Sequence, residues 1–267
     1  MESNYLINKV FSDIIKGYSI TNINNQKIYI KHFNVIDDTE VELYKKEKYQ
    51  EGLDRGLRTE EEQLRFLKEK ELWTEDNETE LIGLKYYYDR LKDDLKVAWL
   101  PSQIKSKKED INKAEEEYYN KLSIKEDLIG LSAEKYCMKQ SNNFYIYLSL
   151  YKDVNFEKRL YENVEFDSLD SEEVSLLIYK FNDTIGHLNE TNIKKTACSN
   201  IFQNIYILSD NNSNFMGRAV CYFTYYQVSL LSYGNYYKHI LQDMGGNIPD
   251  DVRQNPEKLE EKYTTSK

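Results

Sequence analysis

Carboxylate clusters are the first residues in this sequence whose types and spacing could do chemistry. DDTEVE (37–42) and EEE (60–62) each bring several acids together. General acid–base catalysis uses carboxylates as a differentiated pair in a cleft. Both runs fall instead at expected helix starts, where capping and the helix dipole account for them. Asp210 heads DNNSN (210–214), which has some of the character of a calcium loop. A calcium loop needs a glycine at its sixth position and a glutamate at its twelfth. Phe215 and Cys221 stand there, so a plain loop is expected.

Nucleophilic chemistry and metal binding fare no better. His187 and His239 could orient a nucleophile, but no nucleophile-elbow motif or dinucleotide glycine motif accompanies them. Gly217 precedes Arg218 and Ala219 where a phosphate loop would have Lys and Ser or Thr. Cys137, Cys198 and Cys221 are far apart and form no CxxC pair, and His32 is the only other histidine. Structural zinc takes four ligands in close pairs. The sequence therefore nominates no catalytic residue, no metal ligand and no cofactor site.

Charge narrows the partners. The formal net charge is −10, and the densest basic run, Lys105, Lys107 and Lys108, is followed at once by Glu109 and Asp110. A protein that grips nucleic acid needs a concentrated basic face, so direct nucleic-acid binding is not expected. The longest apolar run (219–231, AVCYFTYYQVSLL) is too short for a bilayer, which takes about 20 residues. MESNYLINKV has none of the features of a secretory signal, so cytosolic residence is the expectation. The 24 tyrosines have two readings. Tyr favours interfaces, yet Tyr, Asn, Ile and Lys also share A/T-rich codons, as in a low-GC bacterium, an organelle-like genome or a virus.

The elements that would position these residues are mostly helical. Apolar spacing over 5–15 predicts a short amphipathic helix ended by Gly17. In 18–33, Ile28 and Ile30 alternate with polar residues, and Asn24-Asn25 supplies a hairpin turn. Asp37 or Asp38 is expected to cap a helix that frays at Gly52 and Gly56. Thr59–Glu62 forms a capping box, behind which Leu64, Leu67 and Leu72 point inward. Thr74 opens a helix with Leu81, Leu84, Tyr88, Leu91, Leu95 and Trp99 on one face, closed by Pro101. Ile104, Ile111, Tyr118 and Leu122 line a sparse seam over 102–122, which predicts an antiparallel helical hairpin with the preceding helix. Ser123–Glu126 is a second capping box. Further helices are expected at 133–151, 171–187, 191–208 and 218–244, with a last one opened by Asn255-Pro256. The fold expected is mainly α: a multi-helix bundle with a small N-terminal β-hairpin and a long helical hairpin. The division expected is 1–36 as helix and hairpin, 37–130 as a charged helical arm, and 131–267 as an aromatic-rich C-terminal helical domain. No internal repeat is present.

One feature survives as a candidate site. Phe223, Tyr226, Leu230, Tyr233 and Tyr237 fall on one face of the expected 218–244 helix. Tyr222, with Tyr225 and Tyr236, widens that stripe. Two readings stay open: burial by the other C-terminal helices, or a surface that a protein partner covers.

The segments NIFQNIYILSDNNSNFMGRAVCYFTYYQVSLLSYGNYYKHIL (200–241) and IPDDVRQNPEKLEEKY (248–263) resemble proteins of T4-like tailed bacteriophages that serve as virion components or tail and baseplate assembly factors. IYIKHF (28–33) and GLRTEEEQLRFLKEKELW (56–73) fit the same likeness. The resemblance carries no diagnostic chemical motif and transfers no functional residue. It implies binding to other phage structural or assembly proteins, no cofactor, and residence in the host cytoplasm or the virion. A second class, suggested by the acidic first half, is an accessory factor that modulates a nucleic-acid enzyme as a DNA mimic.

Overall fold

The computed structural model describes residues 2–98, 101–209, 211–245 and 248–266. Trp99, Asp210 and Gly246 lie outside them. The chain is mainly helical, with the N-terminal β-hairpin and the long helical hairpin both present.

The first helix, α1 (Glu2–Lys16), buries Val10 and Ile14 completely. It stops at Gly17, whose φ of +79° glycine adopts without a side-chain clash. Strands β1 (Tyr18–Ile23) and β2 (Gln26–Lys31) pair antiparallel in full register, from Tyr18 opposite Lys31 to Ile23 opposite Gln26. Asn24 and Asn25 have φ of 50° and 61°, as a two-residue hairpin turn requires. The sheet is larger than the hairpin expected from sequence. A short strand β3 (Leu150–Tyr151) adds to β2 and gives the order β1-β2-β3.

Helix α2 (Val35–Asp54) starts before the expected Asp37 or Asp38. Asn34 caps it, its Oδ1 accepting from Ile36 N and Asp37 N at 2.8 and 3.1 Å. Helices α3 (Glu60–Glu69) and α4 (Glu75–Lys96) both carry the reciprocal capping box, on Thr59 and Thr74. Leu67 is buried as expected, but Leu72 is 56% exposed and Trp73 is buried instead. The backbone turns left-handed at Glu71 (φ 58°), and that shift of phase swaps the two side chains. Pro101 does not close α4. It is the first residue of α5 (Pro101–Ile129), where its missing N–H leaves nothing unsatisfied. Helix α5 also runs straight through Ser123, so the expected cap there does not form.

The C-terminal half continues with α6 (Ala133–Ser149), α7 (Asn163–Asp167), α8 (Ser171–Ile185), α9 (Glu190–Cys198) and α10 (Asn200–Leu208). The single helix expected over 191–208 is two, because Ser199 turns extended and its hydroxyl caps α10. From Asn212 the expected plain loop (210–214) becomes a short helix, α11 (Asn212–Met216), capped by Asn211. Next come α12 (Tyr225–Asp243), α13 (Asp250–Arg253) and α14 (Pro256–Ser266). Asn255 caps α14, as expected from Asn-Pro.

Contacts divide the chain into two compact units, Met1–Tyr44 with Ser141–Lys267, and Lys45–Gln140. The first holds two apolar cores. One joins α1, α9, α10, α12 and α14 around Phe202, Leu230, Tyr237 and Leu259. The other packs the sheet against α6 and α8 around Ile28, Ile30, Leu150 and Phe181. The second unit contains the α4–α5 hairpin and α3, with the end of α2 and the start of α6, and its seam is Leu67, Trp73, Leu81 and Ile129, then Tyr88, Ile111 and Ala114.

Candidate functional site

The structure places the expected aromatic face mostly inside. Helix α12 begins at Tyr225, capped by Thr224, so Tyr222 and Phe223 precede it and do not share its face. Tyr222 is exposed in a short 3-10 turn (Val220–Tyr222), and Phe223 is buried. Leu230 and Tyr237 are completely buried. The Tyr237 hydroxyl donates to Glu260 at 2.7 Å, and burial pushes its pKa up. Tyr233 is half-buried and donates to Glu190 at 2.6 Å, with the Lys194 ammonium over its ring. Tyr226 is also half-buried, its ring edge-on to that of His32 with the centroids 5.0 Å apart. These side chains belong to the core and its rim rather than to one continuous surface.

Sequence reasoning missed a buried polar cluster in the same unit. Helix α1 supplies Lys9 and Asp13, β1 supplies Ser19, and His32 directly follows β2. His187 comes from a 3-10 turn after α8 (Gly186–Leu188). The hydrogen bonds define a chain. Asp13 Oδ2 accepts from Ser19 Oγ–H at 3.1 Å and from His187 Nε2–H at 2.9 Å. Ser19 has then spent its proton, and His32 Nε2–H donates to its oxygen at 3.0 Å. The other nitrogen of His187 accepts from the Lys9 ammonium at 3.4 Å.

That assignment leaves His32 Nδ1 buried and without a hydrogen-bond partner. A proton there would add a charge in a site closed to water. Burial accordingly holds His32 down at about 4, with His187 adding to the shift and Asp13 opposing it. Gln227 extends the polar interior, donating to the carbonyls of Ile14 and Ile15 and satisfying the last turn of α1.

The cluster contains Ser, His and Asp in the wrong order for hydrolysis. A nucleophilic serine needs histidine between it and the carboxylate, whereas here serine lies between the other two. Ser19 has no exposed surface, and His32 and Asp13 are 3% and 8% exposed. What the arrangement does is tie α1, the sheet and the 3-10 turn together. The sequence held one faint signal for it: Asp13 lies on the apolar face of α1, and His32 continues the inward alternation of Ile28 and Ile30.

Metal and thiol chemistry find no such cluster. Among the described residues no group of three or more His, Cys, Asp and Glu could hold a metal ion. Burial pushes the Cys198 thiol up, and a thiol so placed is a poor nucleophile. His239 is exposed on α12. Among the described residues no helix is long and apolar enough to cross a membrane.

The surface feature is on α10. Phe202, Gln203 and Tyr206 face inward, while Ile201, Ile205 and Leu208 form a row at four- and three-residue spacing that is 42, 51 and 84% exposed. Val220, Tyr222 and Tyr225 add exposed apolar area. No protein-family model, curated protein or solved structure matches the chain.

Proposed function

We propose that this protein is a phage structural or assembly factor that works by binding other proteins, with no catalytic step and no cofactor. The observation that carries this reading is the Ile201–Ile205–Leu208 row, an exposed apolar helix face above a well-packed core. Apolar rows of this kind mark protein contacts when a partner can cover them. Residues 200–241 and 248–263, with their resemblance to T4-like virion and assembly proteins, support the class.

The DNA-mimic alternative needs carboxylates spaced like phosphates without cations among them. On the α4–α5 hairpin, Lys121 pairs with Glu80 at 2.6 Å, Lys125 with Glu78 at 2.8 Å and Lys107 with Asp94 at 3.5 Å. Those lysines neutralise the acids across the hairpin and weigh against mimicry.

The test is co-sedimentation of the tagged chain with virions and assembly intermediates in infected host cells. The unmodified chain should travel with a particle fraction, and Ile205→Asp, a substitution at an exposed site, should abolish this while leaving the fold intact. A chain that stays at the top of the gradient, or a variant that sediments unchanged, contradicts the reading.

A further inference from the structure

The end of α10, the last turns of α12 and the short α13 enclose a cleft of about 320 Å³ lined by Ile207, Lys238, Leu241, Gln242, Gly245 and Arg253. We infer that it is a binding site for a free aliphatic carboxylate, a short apolar chain ending in one negative charge.

Charge complementarity is the first ground. The chain carries a net charge of −10, yet among the described residues this lining holds two cations and no acid. Among the described residues neither cation has an ion-pair partner. Lys238 rests its ammonium over the Tyr206 ring at 5.6 Å. The Nε of Arg253 is shielded from solvent and has no acceptor. Two neighbouring acids are engaged elsewhere: Asp243 accepts from Tyr263 at 2.6 Å, and Asp251 pairs with Lys258 at 3.3 Å. A guanidinium without an ion-pair partner gains charge-assisted hydrogen bonds when a carboxylate arrives.

Shape and lining are the second ground. The volume is at the lower end of small-ligand pockets. Ile207, Leu241 and the methylenes of Lys238 and Gln242 make an apolar wall that suits an alkyl chain. Two cations match one carboxylate, whereas a polyphosphate would need more donors than the cleft offers. A competing account also exists for the cations. Lysine and arginine near the C-terminal ends of α10 and α12 meet the negative end of each helix dipole, and on that account they would bind nothing.

The test is isothermal titration calorimetry of the full chain with sodium octanoate, and with acetate, hexanoate and octan-1-ol as controls. Octanoate should bind saturably at one site, about tenfold more tightly than hexanoate because two more methylenes are buried. Acetate and octan-1-ol should not saturate. Lys238→Gln and Arg253→Gln should each weaken octanoate binding about tenfold. In the unmodified protein, isotope-filtered NMR should show contacts from octanoate methylenes to the Ile207 and Leu241 methyls, which tests the site even if a variant fails to fold. Non-saturating heats, equal binding of octan-1-ol, or contacts to other methyls would overturn the assignment. So would folded variants that lose stability yet bind octanoate unchanged, since the cations would then serve the helix ends alone.

Discussion

The unit of Met1–Tyr44 with Ser141–Lys267 and the unit of Lys45–Gln140 are stabilised by different kinds of contact. In the first, residues far apart in sequence meet: Asp13 bonds His187, Gln227 bonds the end of α1, and Phe202 sits completely buried among Phe11, Tyr206 and Phe215. In the second, much of the order is local. Thr59 and Thr74 cap their own helices, and Trp73 Nε1 donates to Glu78 five residues on, at 2.8 Å. A thin apolar seam, cross-hairpin ion pairs and a few long-range bonds, Tyr136 to Glu51 and Glu60 N to Glu134 among them, do the rest. The lesson is that burial concentrates in the first unit, so truncations there should cost several times more than local changes in the hairpin.

The largest effect should come from Phe202→Ala, which removes a completely buried ring and leaves a cavity, at about 3–5 kcal/mol. Chemical denaturation measures it, and a loss below that of a surface substitution would break the contrast.

Acid comes next. His32 is held at about 4 against 6.5 when unfolded, so the unfolded chain takes up a proton that the folded chain refuses. Stability is therefore greatest above pH 6.5, falls through the window down to pH 4, and levels off below it as far as this group is concerned. The full difference is about 3 kcal/mol. Denaturation midpoints across that window should show the slope in the unmodified chain, and His32→Gln should flatten it.

Gly234→Ala should cost about 1–3 kcal/mol, because an added Cβ would lie 2.5 Å from Phe202 Cε1 and 2.6 Å from Cζ. That ring is stacked on Tyr206 and cannot swing freely. In the hairpin, Thr74→Ala removes the α4 cap and should cost about 1 kcal/mol, visible as faster amide exchange in the first turn of α4. Lys121→Ala should change stability by less than about 1 kcal/mol, since Glu80 is 57% exposed. A larger loss at Lys121 than at Gly234 would reverse the ranking.

The same contrast explains what could be read from the sequence. The capping box at Thr59, the helix start at Thr74, the Asn24-Asn25 turn and the Asn255-Pro256 start are written within four residues, and all are present in the structure. Local patterns also misled. Ser123–Glu126 reads as a cap, but no breaking residue interrupts the stripe from Leu122 to Ile129, so α5 continues. The break at Ser199 has the opposite problem, a real cap without a glycine or proline before it. Pro101 fits an ending or a beginning equally well, and only the fold chooses. The polar cluster stayed hidden because Asp13 and His187 are 174 positions apart, and no local window contains both. The aromatic stripe was visible as composition, whereas which of its rings point inward depends on α9, α10 and α14.

The central claim is that this chain acts by contact through the exposed face of α10. A photocrosslinking amino acid placed at Ile205 in infected cells tests it most directly, with the exposed Glu172 on α8 as the control position. The account predicts a covalent adduct to a virion or assembly protein from position 205 and none from position 172. No adduct at 205, or the same adducts from both positions, would contradict it.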